Sequence, residues 1–384
     1  MIPIYLDNNA TTRVAPEVLD AMLPYLTDHY GNPSSLHRVG DRATAALIEA
    51  REKAAAFLRC RVSEIVFTSG GTESNNAAIR GVLEAAPDKH HIVTSNVEHA
   101  SVLEVCKQLE RSQYRVTYVG VNREGTLNLS ELERAITSDT AIVSIMYANN
   151  ETGVVFPIEK IVEIVRSRGA PLHVDAVQAA GKIPIDLEKT GVDLLTLSGH
   201  KLHAPKGVGL LFIRRGTRAL PLIIGGGQEK GRRSGTPNIP GIVGFARALE
   251  LAEARLAERT GAVSRLRDKL ESAILERIPN TERNGARDPR LPNTTNIGFD
   301  GIEGESVLLS LDEAGVCASS GSACSTGAIE PSHVLRAMGV PSALAIGSVR
   351  FSLSRYTTEE EIDRVIEILP PIVERLRGLT HPNR

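Results

Sequence analysis

Short apolar runs alternate with longer amphipathic stretches between about residue 16 and residue 220. The runs are rich in valine, isoleucine and leucine, which is typical of strands buried on both faces of a sheet. The predicted strands cover residues 65–67, 92–94, 115–119, 141–146, 172–174, 194–197 and 209–213. One predicted helix begins at Pro16, and another follows Glu73 and ends near Leu83. The other predicted helices cover residues 41–58, 100–111, 130–136 and 158–168. This repeated alternation predicts a largely parallel sheet with helices on both faces.

The pattern changes after the last of these strands. A long, charged, amphipathic helix is predicted over residues 239–278, with a bend or break near Gly261. Strand-like and helical segments then mix, over residues 293–299, 305–313, 316–318, 348–353 and 359–376. We therefore expect a second, smaller α+β unit. The predicted division is a large domain of residues 14–255 and a small domain of residues 1–13 and 256–384.

Composition limits the class of protein. The chain has 384 residues, of which 42% are hydrophobic, and a formal net charge of −2. This balance gives no indication of binding to nucleic acid or to an anionic membrane. No apolar stretch approaches the ~20 residues that span a bilayer, and the first residues lack the pattern of a secretory signal. Four cysteines in so long a chain do not make a disulfide framework. We expect a cytoplasmic enzyme.

Candidate chemistry is concentrated where the predicted strands end. Asp175 follows the strand at 172–174, and Lys201 follows the strand at 194–197 through a small Ser-Gly approach. Open α/β sheets bind ligands at the carboxyl ends of their strands. A lysine there is suited to imine formation, and an aspartate to keeping a pyridinium nitrogen protonated. Each residue alone is more often a surface charge or a turn former. Their joint position predicts pyridoxal 5′-phosphate (PLP) as the cofactor.

Three other segments follow strands in the same way. Ser69-Gly70-Gly71-Thr72-Glu73 opens a helix, where backbone N–H groups can cradle an anion. A capped helix after a glycine turn is the alternative. His99 precedes another helix, either as a simple helix-entry residue or as a group that stacks on a flat ring and moves protons. Asn150 follows the strand at 141–146, in a position that matches that of Asp175.

A run of small residues surrounds one cysteine. Residues 318–327 are almost entirely glycine, serine, alanine and threonine, with Cys324 near the centre. Such residues cannot form a core, so a mobile loop is predicted. An exposed thiol there is either a tolerated surface residue or a nucleophile that enters an active site, and we predict the nucleophile. The remaining cysteines, which are Cys60, Cys106 and Cys317, are assigned to packing. No spacing among the four cysteines suits a structural zinc site.

Arg350 lies in a predicted strand and alternates with apolar neighbours. Val349 and Phe351 would share one face of the strand, so Arg350 points to the other face. It is either solvated or a fork that holds a carboxylate in two places. The pattern leaves both alternatives open.

These residues and their neighbours resemble the cysteine desulfurases of the NifS/IscS family, which are fold-type I, aspartate-aminotransferase-like PLP enzymes. The resemblance runs nearly from end to end. It rests on Tyr5-Leu6-Asp7-Asn8-Asn9-Ala10-Thr11-Thr12, Tyr30-Gly31-Asn32-Pro33-Ser34-Ser35, Phe67-Thr68-Ser69-Gly70-Gly71-Thr72-Glu73-Ser74-Asn75, Ala148-Asn149-Asn150-Glu151-Thr152-Gly153, Ser198-Gly199-His200-Lys201, Arg233-Ser234-Gly235-Thr236, the Cys324 loop and Arg350-Phe351-Ser352-Leu353-Ser354-Arg355-Tyr356-Thr357-Thr358-Glu359-Glu360. The segment after Lys201 and the short cysteine loop are most similar to the nitrogenase-associated NifS branch. Ser325-Thr326-Gly327 stands where the family often has Thr-Ser-Gly, and we expect no change in chemistry.

The resemblance implies an α/β fold with a mainly parallel sheet in the large domain and a smaller α+β domain that carries the cysteine loop, residues 318–330. It implies Lys201 as the Schiff-base lysine, Asp175 at the pyridine nitrogen and His99 as an acid/base stacked on the ring. Thr236 would reach the phosphate of the neighbouring subunit's cofactor, which implies a homodimer. The other implied contacts are Gln178 at the phenolic oxygen, Gly71, Thr72, Ser198 and His200 at the phosphate, Gly199 in the cofactor-binding set, and Asn150 and Arg350 at the substrate carboxylate, with Asn150 also near the cofactor.

The implied reaction converts L-cysteine to L-alanine and leaves the sulfur on Cys324 as a persulfide. Lys201 would remove the substrate Cα proton, and His99 or the incoming substrate would deprotonate Cys324. The sulfur would pass to an iron–sulfur scaffold protein, with nitrogenase metallocluster assembly as the expected destination, and Cys324 would also make a transient iron–sulfur contact. Two hypotheses compete with this one. An aminotransferase would not need an exposed cysteine, and a non-catalytic sulfur carrier would not need Lys201.

Overall fold

The structure is a computed structural model that describes residues 3–254, 256–320 and 330–380. The helices are α1 (Pro16–Leu26), α2 (Arg38–Leu58), α3 (Gly71–Ala85), α4 (Ala100–Arg111), α5 (Leu129–Ala135), α6 (Ile158–Ser167), α7 (Ile239–Glu253), α8 (Leu256–Arg277), α9 (Gly304–Glu313), α10 (His333–Ala337), α11 (Ser342–Ile346) and α12 (Glu359–Thr380). The strands are β1 (Ile4–Tyr5), β2 (Ile65–Thr68), β3 (His91–Ser95), β4 (Arg115–Val119), β5 (Thr140–Met146), β6 (Leu172–Asp175), β7 (Leu194–Ser198), β8 (Gly209–Ile213), β9 (Thr281–Arg283), β10 (Thr294–Phe299), β11 (Val316–Cys317) and β12 (Ser348–Ser352). None of the helices in these ranges is long and apolar enough to cross a membrane.

The main sheet has the strand order β2-β8-β7-β6-β5-β3-β4. Strand β8 is antiparallel to β2 and β7, and the other neighbouring pairs are parallel. Strands β2, β3, β5, β6 and β7 are buried at every position. Their continuous apolar runs, rather than alternating patterns, are what burial on both faces requires. The predicted mainly parallel α/β sheet is confirmed.

Helices cover the sheet on both faces. Consecutive strand residues point in opposite directions, and the packing shows this directly. Ile142 and Leu194 pack in one apolar cluster with residues of α3 and α4. Their neighbours Val143 and Leu195 pack in another cluster with residues of α2, α6 and α7. The sheet is therefore the middle of three layers, and its edges are the places left for polar side chains.

A second apolar core lies outside the main sheet. It is built around the antiparallel sheet β12-β10-β9 and helices α8, α9 and α12. Strand β1 pairs in parallel with β11, and this brings Leu6 into the second core. Helices α10 and α11 instead contribute Leu335 and Leu344 to the first core. The domain boundaries at residues 13/14 and 255/256 stay a prediction.

The helix predicted over residues 239–278 is interrupted as expected, but the position predicted for the break, near Gly261, is wrong. The chain has two helices there, because Ala254 after α7 is extended, with φ −60° and ψ 115°. Gly261, where the break was expected, lies inside α8. A glycine in a helix costs only about 1 kcal/mol relative to alanine. The break instead falls between Ala252, in the first core, and Val263, in the second, where the chain must change direction.

The register of β8 fixes the turn that precedes α3. Gly209 pairs with Thr68 at the end of β2 and with Ser198 at the end of β7. A Cβ at Gly209 would lie 2.6 Å from Gly70 Cα and 2.8 Å from Leu197 O. Glycine at this position therefore allows the turn after β2 to approach the end of β7.

We expect Gly209→Ala to lower the free energy of unfolding by about 1–3 kcal/mol, because the added methyl group collides with backbone on both sides. Urea unfolding of the variant measures this. Gly378→Ala is the matched control, since a Cβ there meets no atom within 4 Å, and it should gain up to about 1 kcal/mol of helix stability. Unchanged stability of Gly209→Ala would show that β8 shifts freely and that this close approach is no constraint.

Candidate active site

A cavity of about 440 Å³ opens at the carboxyl edge of the main sheet. Strands β5, β6 and β7 end there, at Met146, Asp175 and Ser198, which all line it. The sequence-predicted site residues that line the cavity are Gly71, Thr72, His99, Asn150, Asp175, Gln178, Ser198, His200, Lys201 and Arg350. The fold therefore gathers at one edge residues that are up to 279 positions apart, from Gly71 to Arg350.

Three predicted site residues are not among those that line the cavity. Gly199 is buried, and a Cβ there would lie 2.9 Å from Val208 Cγ1. Thr236 is exposed and lies elsewhere on the surface. Cys324, including its predicted iron–sulfur contact, lies outside the described residues. The described chain nevertheless reaches the cavity at residues 319–320, which line it.

Asp175 presents a buried carboxylate, 6% exposed, to the cavity. Its Oδ2 accepts a hydrogen bond of 2.8 Å from Asn75 Nδ2, and its Oδ1 accepts the backbone N–H of Val177 at 3.0 Å. Both donors are neutral, so the carboxylate is suited to pairing with a cationic group of a ligand. Asn75 was not predicted as a site residue. The available signal was its position one helical turn after Gly71, on the same face of α3.

His99 caps α4 and lies in the wall of the cavity. Its Nδ1 accepts the backbone N–H of Ser101 at 3.1 Å and lies 2.8 Å from Ser101 Oγ. Because Nδ1 is an acceptor, the neutral ring carries its proton on Nε2. Burial lowers the pKa of His99, an effect that Asp175 opposes and Lys201 reinforces. The neutral imidazole can therefore exchange a proton through Nε2.

Lys201 ends a single 3₁₀ turn that follows β7. Its Nζ donates to the backbone carbonyls of Asn9 and Ala10, each at 2.7 Å. Burial lowers the pKa of Lys201 to about 8, with the nearby Arg350 cation adding to the shift and two carboxylates opposing it. A neutral, nucleophilic amine is therefore accessible close to neutral pH, as imine formation requires.

The first turn of α3 forms an anion cradle. Gly70 precedes it at φ 150°, and no side chain caps the helix, so its first N–H groups are available to a ligand. A Cβ at Gly71 would lie 3.1 Å from Val177 Cγ2 and 3.5 Å from Ser198 Cβ. The segments after β2, β6 and β7 thus enclose the cradle. Burial lowers the pKa of His200 to about 4, so this neighbour is a neutral hydrogen-bonding group.

Arg350 is buried at the rim of the cavity, with 5% exposure. Its guanidinium donates to Asp7 Oδ1 at 2.7 Å and to the backbone carbonyl of Asn150 at 3.2 Å, and its Nε has no partner in the described residues. The solvated alternative is therefore excluded, and a guanidinium held in one orientation at the rim is suited to binding a carboxylate. Asp7 was missed because only the fold brings it next to Arg350.

A hydrogen-bond frame that the sequence did not indicate surrounds Lys201 and Gln178. The carbonyl of Asn9 accepts from Lys201 Nζ at 2.7 Å and from Gln178 Nε2 at 3.0 Å. Lys182 Nζ donates to Gln178 Oε1 at 2.6 Å and to Asn9 Oδ1 at 3.0 Å. The spacing of four residues between Gln178 and Lys182 was the available signal.

Comparisons with known proteins identify the family of the chain. The family described as aminotransferase class-V matches residues 4–365. A cysteine desulfurase of Nostoc sp. is 60% identical over 380 residues, which cover 99% of this chain and 95% of the relative. Cysteine desulfurase NifS of Azotobacter vinelandii is 51% identical over 381 residues, covering 99% and 95%. A solved NifS-like protein aligns with a TM-score of 0.92 at 42% identity over 97% of this chain and 100% of its own. A structure of SspA in complex with cysteine aligns with a TM-score of 0.82 at 38% identity over 92% and 100%.

In the cofactor-free chain, we expect the rate at which an acylating reagent labels Lys201 to rise with pH around an apparent pKa of about 8. An ordinary lysine has a pKa of about 10.4. Arg350→Met should raise the pKa of Lys201, because removing a nearby cation favours the ammonium form, so labelling at pH 8 should fall. Peptide mass spectrometry over a pH series measures both. The exposed Lys160 on α6 is the internal control. An apparent pKa of Lys201 near the ordinary value of about 10.4 would contradict the effect of burial.

Proposed function

The chain belongs to the class-V aminotransferases and is a PLP-dependent cysteine desulfurase, and we propose that Lys201, His99 and Cys324 carry out its reaction. L-Cysteine is converted to L-alanine, and the sulfur is transferred to Cys324 as a persulfide. The observation that carries this assignment is the joint position of Asp175, Lys201 and Arg350 around one cavity.

The residues around the cavity fit PLP. Asp175 is a buried carboxylate with only neutral donors, the uncapped start of α3 can hold a phosphate, and Lys201 has an amine of lowered pKa. These are the partners that the ring nitrogen, the phosphate and the aldehyde require. The chemistry that the cofactor supplies is an electron sink for negative charge at the substrate Cα. We assign Gln178 to the ring oxygen, His99 to the ring face, and Gly71, Thr72, Ser198 and His200 to the phosphate, with Gly199 in the cofactor-binding set as the residue between the last two.

Arg350 is assigned to the substrate carboxylate, with the side chain of Asn150 beside it. The guanidinium is held by Asp7 and by the Asn150 carbonyl, so its orientation is set before the substrate arrives. Pre-orientation of this kind lowers the entropic cost of the reacting geometry. The Nε of Arg350 is buried and has no partner among the described residues.

We assign to Lys201 the removal of the proton from the substrate Cα. With a pKa of about 8, its amine is a base whose neutral form is populated near neutral pH, and its ammonium form can return the proton. We assign to His99 the second proton transfer, which removes the thiol proton of Cys324. Ser101 engages Nδ1, so proton exchange in the cavity falls to Nε2.

Cys324 is assigned as the nucleophile. Its thiolate attacks the substrate sulfur, the substrate Cβ–S bond breaks, the sulfur stays on Cys324 as a persulfide, and a proton completes alanine. Ser320 lines the cavity, and four further residues can extend about 14 Å. Cys324 is therefore within reach of a substrate held by Arg350.

A homodimer is part of the proposal. Large apolar side chains with high exposure are concentrated in two segments, residues 19–39 and 220–224, and include Tyr30 at 76% and Ile224 at 85%. Concentrated apolar surface of this kind is typical of a protein contact. The second segment leads towards Thr236, whose exposure is consistent with a role at the partner's cofactor phosphate.

The proposed sulfur acceptor is an iron–sulfur scaffold protein, with nitrogenase metallocluster assembly as the destination. The support is the 51% identity to cysteine desulfurase NifS of Azotobacter vinelandii, together with the NifS-like cysteine segment. A persulfide must meet a reduced acceptor, so the proposal includes a cytoplasmic location, where thiols are kept reduced. The transient iron–sulfur contact at Cys324 belongs to the same proposal.

Cys324→Ala should keep the absorbance of the bound cofactor but lose alanine release from L-cysteine by about 10³-fold or more, because no thiolate remains to accept the sulfur. Cys60→Ala is the matched control, since burial raises the pKa of Cys60 to about 12 and leaves it unreactive. Full turnover by Cys324→Ala would refute the assignment. If the protein transfers an amino group to a keto acid and Cys324→Ala does so at the same rate, an aminotransferase would be favoured. If the wild-type chain has no cofactor absorbance that disappears in Lys201→Ala, a non-catalytic sulfur carrier would be favoured.

Ile224→Asp should convert the dimer to a monomer, because a charge in the contact would be buried without a partner. Light scattering after size-exclusion chromatography measures the mass. Leu309→Asp on α9, where the leucine is 64% exposed, tests an apolar residue outside both segments and should leave the dimer intact. A wild-type chain that elutes as a monomer would contradict the proposal.

A further inference from the structure

Lys182 lies beside the active-site cavity, and no carboxylate of the described residues is paired with it. Its Nζ donates to Gln178 Oε1 at 2.6 Å and to Asn9 Oδ1 at 3.0 Å, and both acceptors are neutral amide oxygens. Burial lowers the pKa of Lys182 well below its usual range, and the cations of Lys201 and Arg350 lower it further. An amine in these surroundings costs folding free energy that a methionine of similar size would not. Its presence therefore calls for a role other than stability.

The hydrogen bonds of Lys182 determine which way the Gln178 amide points. An ammonium group donates and cannot accept, and a neutral amine would still use its two N–H groups on the two acceptors present. In the structure Gln178 turns Oε1 towards Lys182 and Nε2 away from it. Nε2 then donates to the carbonyl of Asn9 at 3.0 Å, and its second N–H remains for the cavity that Gln178 lines.

The same amine also fixes Asn9. Asn9 Oδ1 accepts from Lys182 and from Asn293 Nδ2, each at 3.0 Å, so the side-chain Nδ2 is directed to Asn150 O and Thr294 Oγ1. The Asn9 carbonyl in turn holds Lys201 Nζ at 2.7 Å. Lys182 is thus hydrogen-bonded to the residue assigned to the ring oxygen and to the residue that orients the reactive amine.

We propose that Lys182 is a positioning residue that holds the Gln178 amide with its N–H groups towards the ring oxygen of the cofactor. This inference rests on the proposed function, which assigns Gln178 to that oxygen. Without Lys182 the Gln178 amide can rotate and present Oε1 to the ring oxygen, and two acceptors then face each other. The bound cofactor loses a hydrogen-bond donor and binds its own proton more tightly.

The test follows the absorbance of the holoenzyme over a pH series without substrate, so it does not depend on turnover. Lys182→Met should raise the pKa of the bound cofactor by about one unit, which is a tenfold change in proton affinity. Lys160→Met, at an exposed position on α6, is the control and should titrate as the wild type. Wild-type titration by Lys182→Met would overturn the inference.

Two further variants separate positioning from charge. Lys182→Gln keeps an N–H donor for Gln178 Oε1 but no charge, so it should titrate close to the wild type. A shift as large as that of Lys182→Met would identify charge as the cause and overturn the inference. In a Gln178→Met background, Lys182→Met should cause no further shift, whereas additive shifts would show that Lys182 does not act through Gln178.

The outcomes also distinguish this inference from the proposed function. If the wild-type chain shows no cofactor absorbance, or only one that persists in Lys201→Ala, both the proposed function and this inference are refuted. A chain that binds the cofactor at Lys201 and titrates identically with and without Lys182 would leave the proposed function intact and end the inference alone.

Discussion

The arrangement of the site depends on Asn9, because every polar atom of this residue is hydrogen-bonded. On the side of the second core, its backbone N–H donates to Ser352 Oγ, and its side chain bonds Asn293 and Thr294. On the side of the main sheet, it bonds Asn150, Gln178, Lys182 and Lys201. Asn9 therefore holds the two cores in one register, and a displacement of either would misplace the reactive amine. Buried networks confer this kind of specificity when every member is satisfied.

The balance of charge around the cavity follows from the same arrangement. Lys201 and Arg350 are cations with little access to water, and each lowers the proton affinity of its neighbours. Asp7 is used by Arg350, and Asp175 receives only neutral donors. A ligand with a cationic ring nitrogen and anionic phosphate and carboxylate groups would compensate these charges one by one. Binding energy therefore comes from charges that the protein has already removed from water.

Sequence and fold contribute differently to what could be predicted. Asp175 and Lys201 were predictable because Asp175 directly follows one apolar strand, Lys201 follows another through a short Ser-Gly approach, and the carboxyl ends of parallel strands meet. Asn75 and Lys182 carry weaker signals, since a polar residue four positions from another is common in any sequence. Asp7 could not be predicted, since its contact with Arg350 depends on how the N-terminal segment enters the second core. The helix break after α7 was missed for a similar reason, because the change of core decides it and Gly261 does not.

Cys60, Cys106 and Cys317 show why a buried thiol is a poor nucleophile. Burial raises the pKa of Cys60 and of Cys106 to about 12, and it also raises the pKa of Cys317. A thiol with a pKa near 12 is ionised in only about one molecule in 10⁵ at neutral pH. Packing that suits a core thus removes the thiolate that sulfur transfer needs. A cysteine among glycine, serine and alanine avoids this penalty, because small residues provide no apolar surroundings to desolvate it. The composition around Cys324 therefore favours the proposed role of this residue as the nucleophile.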